Sequence, residues 1–209
     1  MTVKVISCTQ DPVKVVSLAA GCCYGKDDVS EKRVVNCISS GHMSVLEHVS
    51  VTFEVSDISR ACSHQLVRHR VASYSQKSQR YTKLRVSNLG KTDWYVTPPD
   101  ILDHTSKMEK WDYDQCMNAF LTNYLGAIEG GMNPEDARFM LPEATKTDIV
   151  CTMNFREICH FVEMRGSKNA QWEIRQVAKD LVKAIFAQGG GWDKIVEWSL
   201  LIADDEEMS

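Results

Sequence analysis

A chain of 209 residues, 44% hydrophobic and 25% charged, has the composition of an ordinary soluble globular protein and the length of one domain, 1–209. A formal net charge of −4 argues against a general nucleic-acid or membrane-surface binder. No window approaches the roughly 20 apolar residues that span a bilayer, and the opening MTVKVISCTQ lacks a signal-peptide apolar run, so a cytoplasmic protein is expected. The eight cysteines form no C-x-x-C pair or zinc-like repeat, so buried free thiols and no metal site are expected.

Alternation over residues 3–8 predicts a strand, and Asp11-Pro12 predicts the cap and first turn of a helix through about Cys23. A second helix is expected from Asp28 to Ser39, with Val34, Cys37 and Ile38 inward and Gly41 as its stop. The segment His42–His48 is too polar for a core and too patterned for a linker. Val49–Val55 alternates as a half-buried strand, and from Ile58 the spacing turns helical, with Ser56 or Asp57 as cap. That helix would deliver Gln65, Arg68, His69 and Arg70 at its C-terminal end.

A loop and then a strand at Tyr81–Val86 are expected next, followed by an extended Trp94–Val96 stopped by Pro98-Pro99. The longest helix is predicted from Thr105 to about Glu129, with Met108, Trp111, Met117, Phe120, Leu121, Tyr124 and Ile128 near one stripe. A short helix starting near Asn133 ends by Pro142, and residues 144–153 read as a strand. Helices over Phe155–Arg165 and Trp172–Phe186 follow, the second with Trp172, Ile174, Val177, Ala178, Leu181, Val182, Ile185 and Phe186 mostly inward. Gly189–Gly191 breaks the chain before a last apolar turn, and an acidic tail occupies about 204–209. Mixed helices and short successive strands predict an α/β (α+β) fold, a largely antiparallel sheet flanked by helices.

Charge is unevenly placed. Arg60, Arg68, Arg70, Lys77, Arg80, Lys83, Arg85 and Lys91 lie in a stretch with no acidic residue between Asp57 and Asp93. Such clustering costs self-repulsion, which an anionic ligand relieves. The interleaved Ser73, Tyr74, Ser75, Gln76, Ser78, Gln79 and Tyr81 offer neutral hydrogen-bonding groups for a polar ring beside that anion. A nucleotide-sized ligand is expected. Further arginines stand at 138, 156, 165 and 175. Pattern alone leaves Arg165 open between an ion pair with Glu163 or Glu173 and a ligand contact, and Arg138 between a pair with Glu135 and the same use. There is no G-x-G-x-x-G after a strand, no phosphate-cradling Walker loop and no G-x-S-x-G.

The order of motifs is more specific. Arg68-His69-Arg70, seven residues, then Ser78-Gln79-Arg80-Tyr81 resembles the signature of flavin-dependent thymidylate synthases. His42-x-Ser44-x-x-Glu47-His48, Glu135–Arg138 with Leu141-Pro142, Asn154-x-Arg156, Arg165 and Asn169–Ile174 are similar to further family landmarks, in family order. The resemblance implies reductive methylation of dUMP to dTMP, with 5,10-methylenetetrahydrofolate as carbon donor, FAD as hydride carrier and NADPH as reductant. It also implies a homotetramer with shared active sites.

By matched position, Ser44, Arg68, His69, Arg70, Gln76, Asn154, Arg156 and His160 would hold FAD. Gln65, Arg68, Gln76, Ser78, Gln79, Arg80, Arg138 and Arg165 would hold dUMP, with Arg165 as the catalytic group that stabilises charge on the uracil ring. The family has glutamate or glutamine at the position of Gln76 and asparagine or histidine at that of His160. No cysteine follows a proline, and Ser78 has no base at an obvious sequence position, so no protein nucleophile is expected. His69 is read as a flavin contact, with a proton shuttle as the alternative. Competing readings are a nucleic-acid binder that stacks bases on Tyr74 and Tyr81, and a flavin reductase or sensor without methyl transfer. Overall acidity weighs against the first, and intact Arg138 and Arg165 against the second.

Overall fold

Alternating side chains on one strand divide the central sheet into a buried and a more open face. In the computed structural model, which describes residues 1–200, Val51, Phe53 and Val55 are fully buried while Thr52 and Glu54 face the other way. In chain order the elements are β1 (Thr2–Cys8), α1 (Pro12–Cys22), α2 (Glu31–Ser39), β2 (Ser50–Ser59), α3 (Arg60–Leu66), β3 (Ala72–Gln76) and α4 (Pro99–Leu102). After these come α5 (Lys110–Glu129), α6 (Pro134–Ala137), β4 (Lys146–Asn154), α7 (Phe155–Arg165), α8 (Trp172–Phe186) and α9 (Trp192–Ser199). The four strands form an antiparallel sheet in the order β1-β2-β4-β3, flanked by helices, as the α/β (α+β) expectation required. The acidic tail expected at 204–209 lies outside the described residues. No helix among those described is long and apolar enough to cross a membrane.

Two compact units divide the chain, with the boundary falling inside β2, α3, β3 and β4. The first comprises Met1–Ser56, Gln65–Ser75 and the chain from Ile149 onward. Here β1 pairs with β2 from Thr2 opposite Ser56 to Cys8 opposite Val51, and Ile6 is the extra residue of a bulge, turned to solvent. Thr52 and Thr152 share a 2.9 Å hydroxyl hydrogen bond across β2 and β4. Helix α8 packs on β1 and buries Ile174, Val177, Ala178, Leu181 and Ile185. The bounds of α7 and α8 match the periodicity to the residue, although Phe186 is exposed rather than inward. Helix α2 starts at Glu31, later than expected. Ser30 caps it, and Asp28 instead takes the Arg33 guanidinium at 2.6 Å. The final apolar turn is a two-turn helix, α9, entered through Gly189–Gly191, all three at positive φ. Its Trp192 is buried and donates to the Thr9 carbonyl at 3.1 Å.

The second unit comprises Asp57–His64 and Gln76–Asp148. Its core gathers Trp94 and Tyr95 with Met117, Leu121 and Tyr124 of α5, and Ala137 of α6. Trp94–Val96 is extended as expected, and Tyr95 makes an isolated antiparallel bridge to Thr145. Three expectations need correction here. Tyr81–Val86 is not a strand, because the Ser78 carbonyl accepts from the Tyr81 and Thr82 amides and the Thr82 hydroxyl (2.6 Å), closing a turn. The extended segment comes earlier, as β3 at Ala72–Gln76, where a loop was expected. Helix α5 starts at Lys110 rather than Thr105, since Ser106 N–H bonds back to the Asp100 carbonyl at 3.0 Å; Met108, Trp111 and Phe120 are exposed. Helix α3 likewise starts only after β2 ends, and Ser59, not Ser56 or Asp57, caps it by accepting from Cys62 N–H at 2.9 Å.

Truncating Leu121, which is fully buried, leaves a cavity in this second core. Leu121→Ala is expected to cost about 2–5 kcal/mol in chemical denaturation. The exposed Val86→Thr should stay within about 0.5 kcal/mol of the parent.

Candidate functional site

The turn that ends α3 sets the geometry in the first unit. Arg68 and His69 amides bond back to the Gln65 and Leu66 carbonyls, and the Tyr74 hydroxyl, reaching over from β3, lies 2.9 and 2.7 Å from the Leu66 and His69 carbonyls and donates to them. The chain then runs outward, so the Arg-His-Arg triplet alternates. Arg68 and Arg70 are exposed and His69 is buried at 6% exposure. Burial pushes the Tyr74 hydroxyl pKa up, which keeps it a donor.

His69 is seated against one face of α7. Its Nδ1 is 3.3 Å from Glu157 Oε1, and its Nε2 accepts from Arg165 Nε at 3.2 Å. The Phe161 ring meets it edge-on at 5.0 Å, and His160 is tilted at 5.7 Å. Glu157, Phe161 and Arg165 are four residues apart, which stacks them along one helical face. Burial and the neighbouring Arg165 charge hold His69 below the ordinary histidine range, against the opposing pull of Glu157. The imidazole is neutral at pH 7. Arg165 therefore meets a histidine through its Nε.

Beside this cluster a cavity of about 500 Å³ is lined by Glu47, Val71, Asn154, Arg156, Glu157 and His160, among others. Asn154 caps α7 through its Oδ1, which accepts from Glu157 N–H at 2.9 Å. Arg156 pairs with Glu47. Ser44 is exposed on the 3-10 turn Met43–His48, between two residues that line the cavity, Met43 and Glu47. Among the described residues neither Arg68 nor Arg70 is in an ion pair. Burial pushes the Cys159 thiol up to about 12.

In the second unit two cations of the basic run, Lys77 and Arg80, have acidic partners. Arg80 pairs with Glu135 at 2.9 Å and lies 5.8 Å over the Tyr81 ring. Arg138 donates from Nε to the Glu135 carbonyl at 3.0 Å, so one residue ties both arginines, one by its carboxylate and one by its backbone. Lys77 pairs with Asp148 at 2.9 Å; burial would raise that acid, but the Asp57 N–H and Lys77 outweigh it and hold it low. The clustered charge is thus compensated in part, at Lys77 and Arg80, by acids that arrive from distant sequence. Ser78 Oγ accepts from Arg80 N–H at 3.2 Å. Gln76 donates to Ser63 (2.8 Å) and Thr147 (3.3 Å), and Gln79 borders a separate cavity of about 370 Å³. Gln65, half-buried near the end of α3, belongs to the first unit. Glu157 escaped the sequence reading, although its four-residue spacing to Phe161 and Arg165 was a signal.

Residues 4–188 match the family described as thymidylate synthase complementing protein. A flavin-dependent thymidylate synthase of Geobacter sulfurreducens is 39% identical over 196 residues, covering 88% of this chain and 82% of that protein. The chain belongs to the flavin-dependent thymidylate synthase family. A Pyrococcus furiosus member is 38% identical over 95% of this chain and 84% of its own length. A solved Helicobacter pylori member, holding FAD and dUMP, superposes with a TM-score of 0.76 at 25% identity, covering 96% of this chain and all of that one.

Two expectations follow from these charges. His69 resists protonation when folded but not when unfolded, so its contribution to stability is present above about pH 6.5 and is lost as pH falls through the lower folded value. Thermal melts should show a smaller loss between pH 7 and pH 5 for His69→Gln than for the parent. The Arg80–Glu135 pair is half exposed on both sides, so Glu135→Gln should change stability in urea titrations by less than about 1 kcal/mol.

Proposed function

We propose that this protein converts dUMP to dTMP by reductive methylation. In this reading 5,10-methylenetetrahydrofolate is the carbon donor, FAD the hydride carrier and NADPH the reductant. The observation that carries it is near-full-length likeness to a family whose solved Helicobacter pylori member holds both FAD and dUMP. All of 1–209 is read as one synthase domain that works as a cytoplasmic homotetramer with shared sites.

The residues suit FAD. A cavity of about 500 Å³, bordered by Asn154, Arg156 and His160, falls in the size range of ligand pockets and can take one part of such a molecule. Exposed Arg68 and Arg70 can meet a pyrophosphate with directional, charge-assisted hydrogen bonds. Ser44, Arg68, His69, Arg70, Gln76, Asn154, Arg156 and His160 would hold the cofactor, which supplies hydride transfer when bound.

Gln65, Arg68, Gln76, Ser78, Gln79, Arg80, Arg138 and Arg165 would hold dUMP. Arg80 and Arg138 are suited to a phosphate, which would compete with Glu135 for Arg80. Uracil C5 is a poor nucleophile until electron density is pushed onto it. Arg165 spends its Nε on His69, leaving its Nη groups to stabilise negative charge at the ring carbonyls. No protein nucleophile is needed. Ser78 is a ligand in this scheme, its oxygen already accepting from Arg80 N–H.

Purified protein should show oxidised-flavin absorbance, at least after FAD addition; persistent lack of it would discredit the proposal. Arg165→Ala should keep the flavin yet lose at least about 100-fold in dTMP formation. Arg68→Ala should weaken FAD binding by roughly 10- to 100-fold. The reverse pattern would mean that the two arginines have exchanged roles.

A further inference from the structure

The seat of His69 includes one residue to which neither the flavin nor the nucleotide set gives a part. A neutral imidazole has one N–H and one lone pair. The Glu157 carboxylate facing Nδ1 can only accept, and the Arg165 Nε–H facing Nε2 can only donate. One tautomer satisfies both, with hydrogen on Nδ1 and the lone pair on Nε2. Moving the proton would set donor against donor at Arg165 and lone pair against lone pair at Glu157.

We propose that Glu157 is a positioning residue which, by holding His69 in its Nδ1–H form, fixes the direction in which Arg165 presents its guanidinium. This rests on the reading of Arg165 as the group that stabilises the uracil ring. Geometry supports it at each link. The carboxylate is nearly buried, at 11% exposure, beside an imidazole at 6%. The Tyr74 hydroxyl fixes the His69 backbone from β3. Phe161, on the face shared by Glu157 and Arg165, closes the edge of the ring. The charged or titratable groups facing the imidazole are Glu157, His160 and Arg165 on α7, with Tyr74 meeting only its carbonyl. Protonation of His69 would put the ring's second hydrogen on Nε2 and break the bond to Arg165, so the arrangement holds only while the ring is neutral.

The test reads His69 directly, by nitrogen NMR of the histidine side chains, its signal assigned by its loss in His69→Gln. The parent is expected to be neutral at pH 7 with the proton on Nδ1 and to titrate below about 6.5. In Glu157→Gln the amide oxygen still accepts, so the tautomer should persist while the titration moves lower, with the acid limb of kcat/KM moving alongside. Glu157→Ala should lose the single tautomer and about 10- to 100-fold of kcat with FAD binding intact, and the glutamine variant should recover most of that loss. An Nε2–H tautomer in the parent, or a Glu157→Ala protein with parental His69 signals and turnover, would overturn the proposal. So would loss of FAD binding in step with turnover, which would make Glu157 a flavin ligand. If Glu157→Ala fails to fold, the glutamine variant decides by its titration. A parent that forms no dTMP would sink the functional reading alone, since the tautomer is read without turnover.

Discussion

A buried imidazole can accept from a guanidinium and donate to a carboxylate only while it carries a single proton. That constraint governs the first unit. Arg165 ends α7, where the helix dipole welcomes a cation, but its Nε bond to His69 requires that His69 stay uncharged. Burial and the Arg165 charge both press the ring toward neutrality, while Glu157 opposes them without prevailing. The carboxylate's electrostatic influence and its hydrogen-bonding role thus point in different directions. It favours the imidazolium by charge and the Nδ1–H tautomer by geometry. A glutamine in its place separates the two, since it keeps the acceptor and removes the charge.

The second unit solves a different problem, how to keep a run of cations folded when no ligand neutralises them. Acids from far along the chain take that part, Glu135 for Arg80 and Asp148 for Lys77. Exposed pairs of this kind contribute little to stability. Their weakness is useful at a binding site, because an incoming phosphate can replace a half-exposed carboxylate without a large penalty. Glu135 suits such an exchange. Its backbone carbonyl would keep Arg138 in place even after its carboxylate released Arg80.

Local pattern carried much of the architecture. The bounds of α7 and α8 were readable to the residue, because apolar residues recur at helical spacing from Phe155 and from Trp172. The failures came where hydrogen bonds outside the pattern decide. Polar Ala72–Gln76 became a strand through pairing that propensity does not encode, and Tyr81–Val86 lost its strand to the Ser78 turn. At the site, motif order singled out the residues proposed to hold the two ligands. It gave none of their protein partners, since Glu47–Arg156, Glu135–Arg80 and Glu157–His69 each join segments remote in sequence.

Glu157 differs from the other two acids in what its loss would cost. Glu47 and Glu135 are about half exposed, and water can replace them at either arginine. Glu157 is nearly buried, so removing it strands one nitrogen of a ring that has little access to solvent. The ring can then recover a partner only by turning or by moving its proton, and either change abandons Arg165. Sequence placed the guanidinium at the end of α7. Its aim is set about two turns earlier on the same helix, by a carboxylate that need not touch the substrate at all.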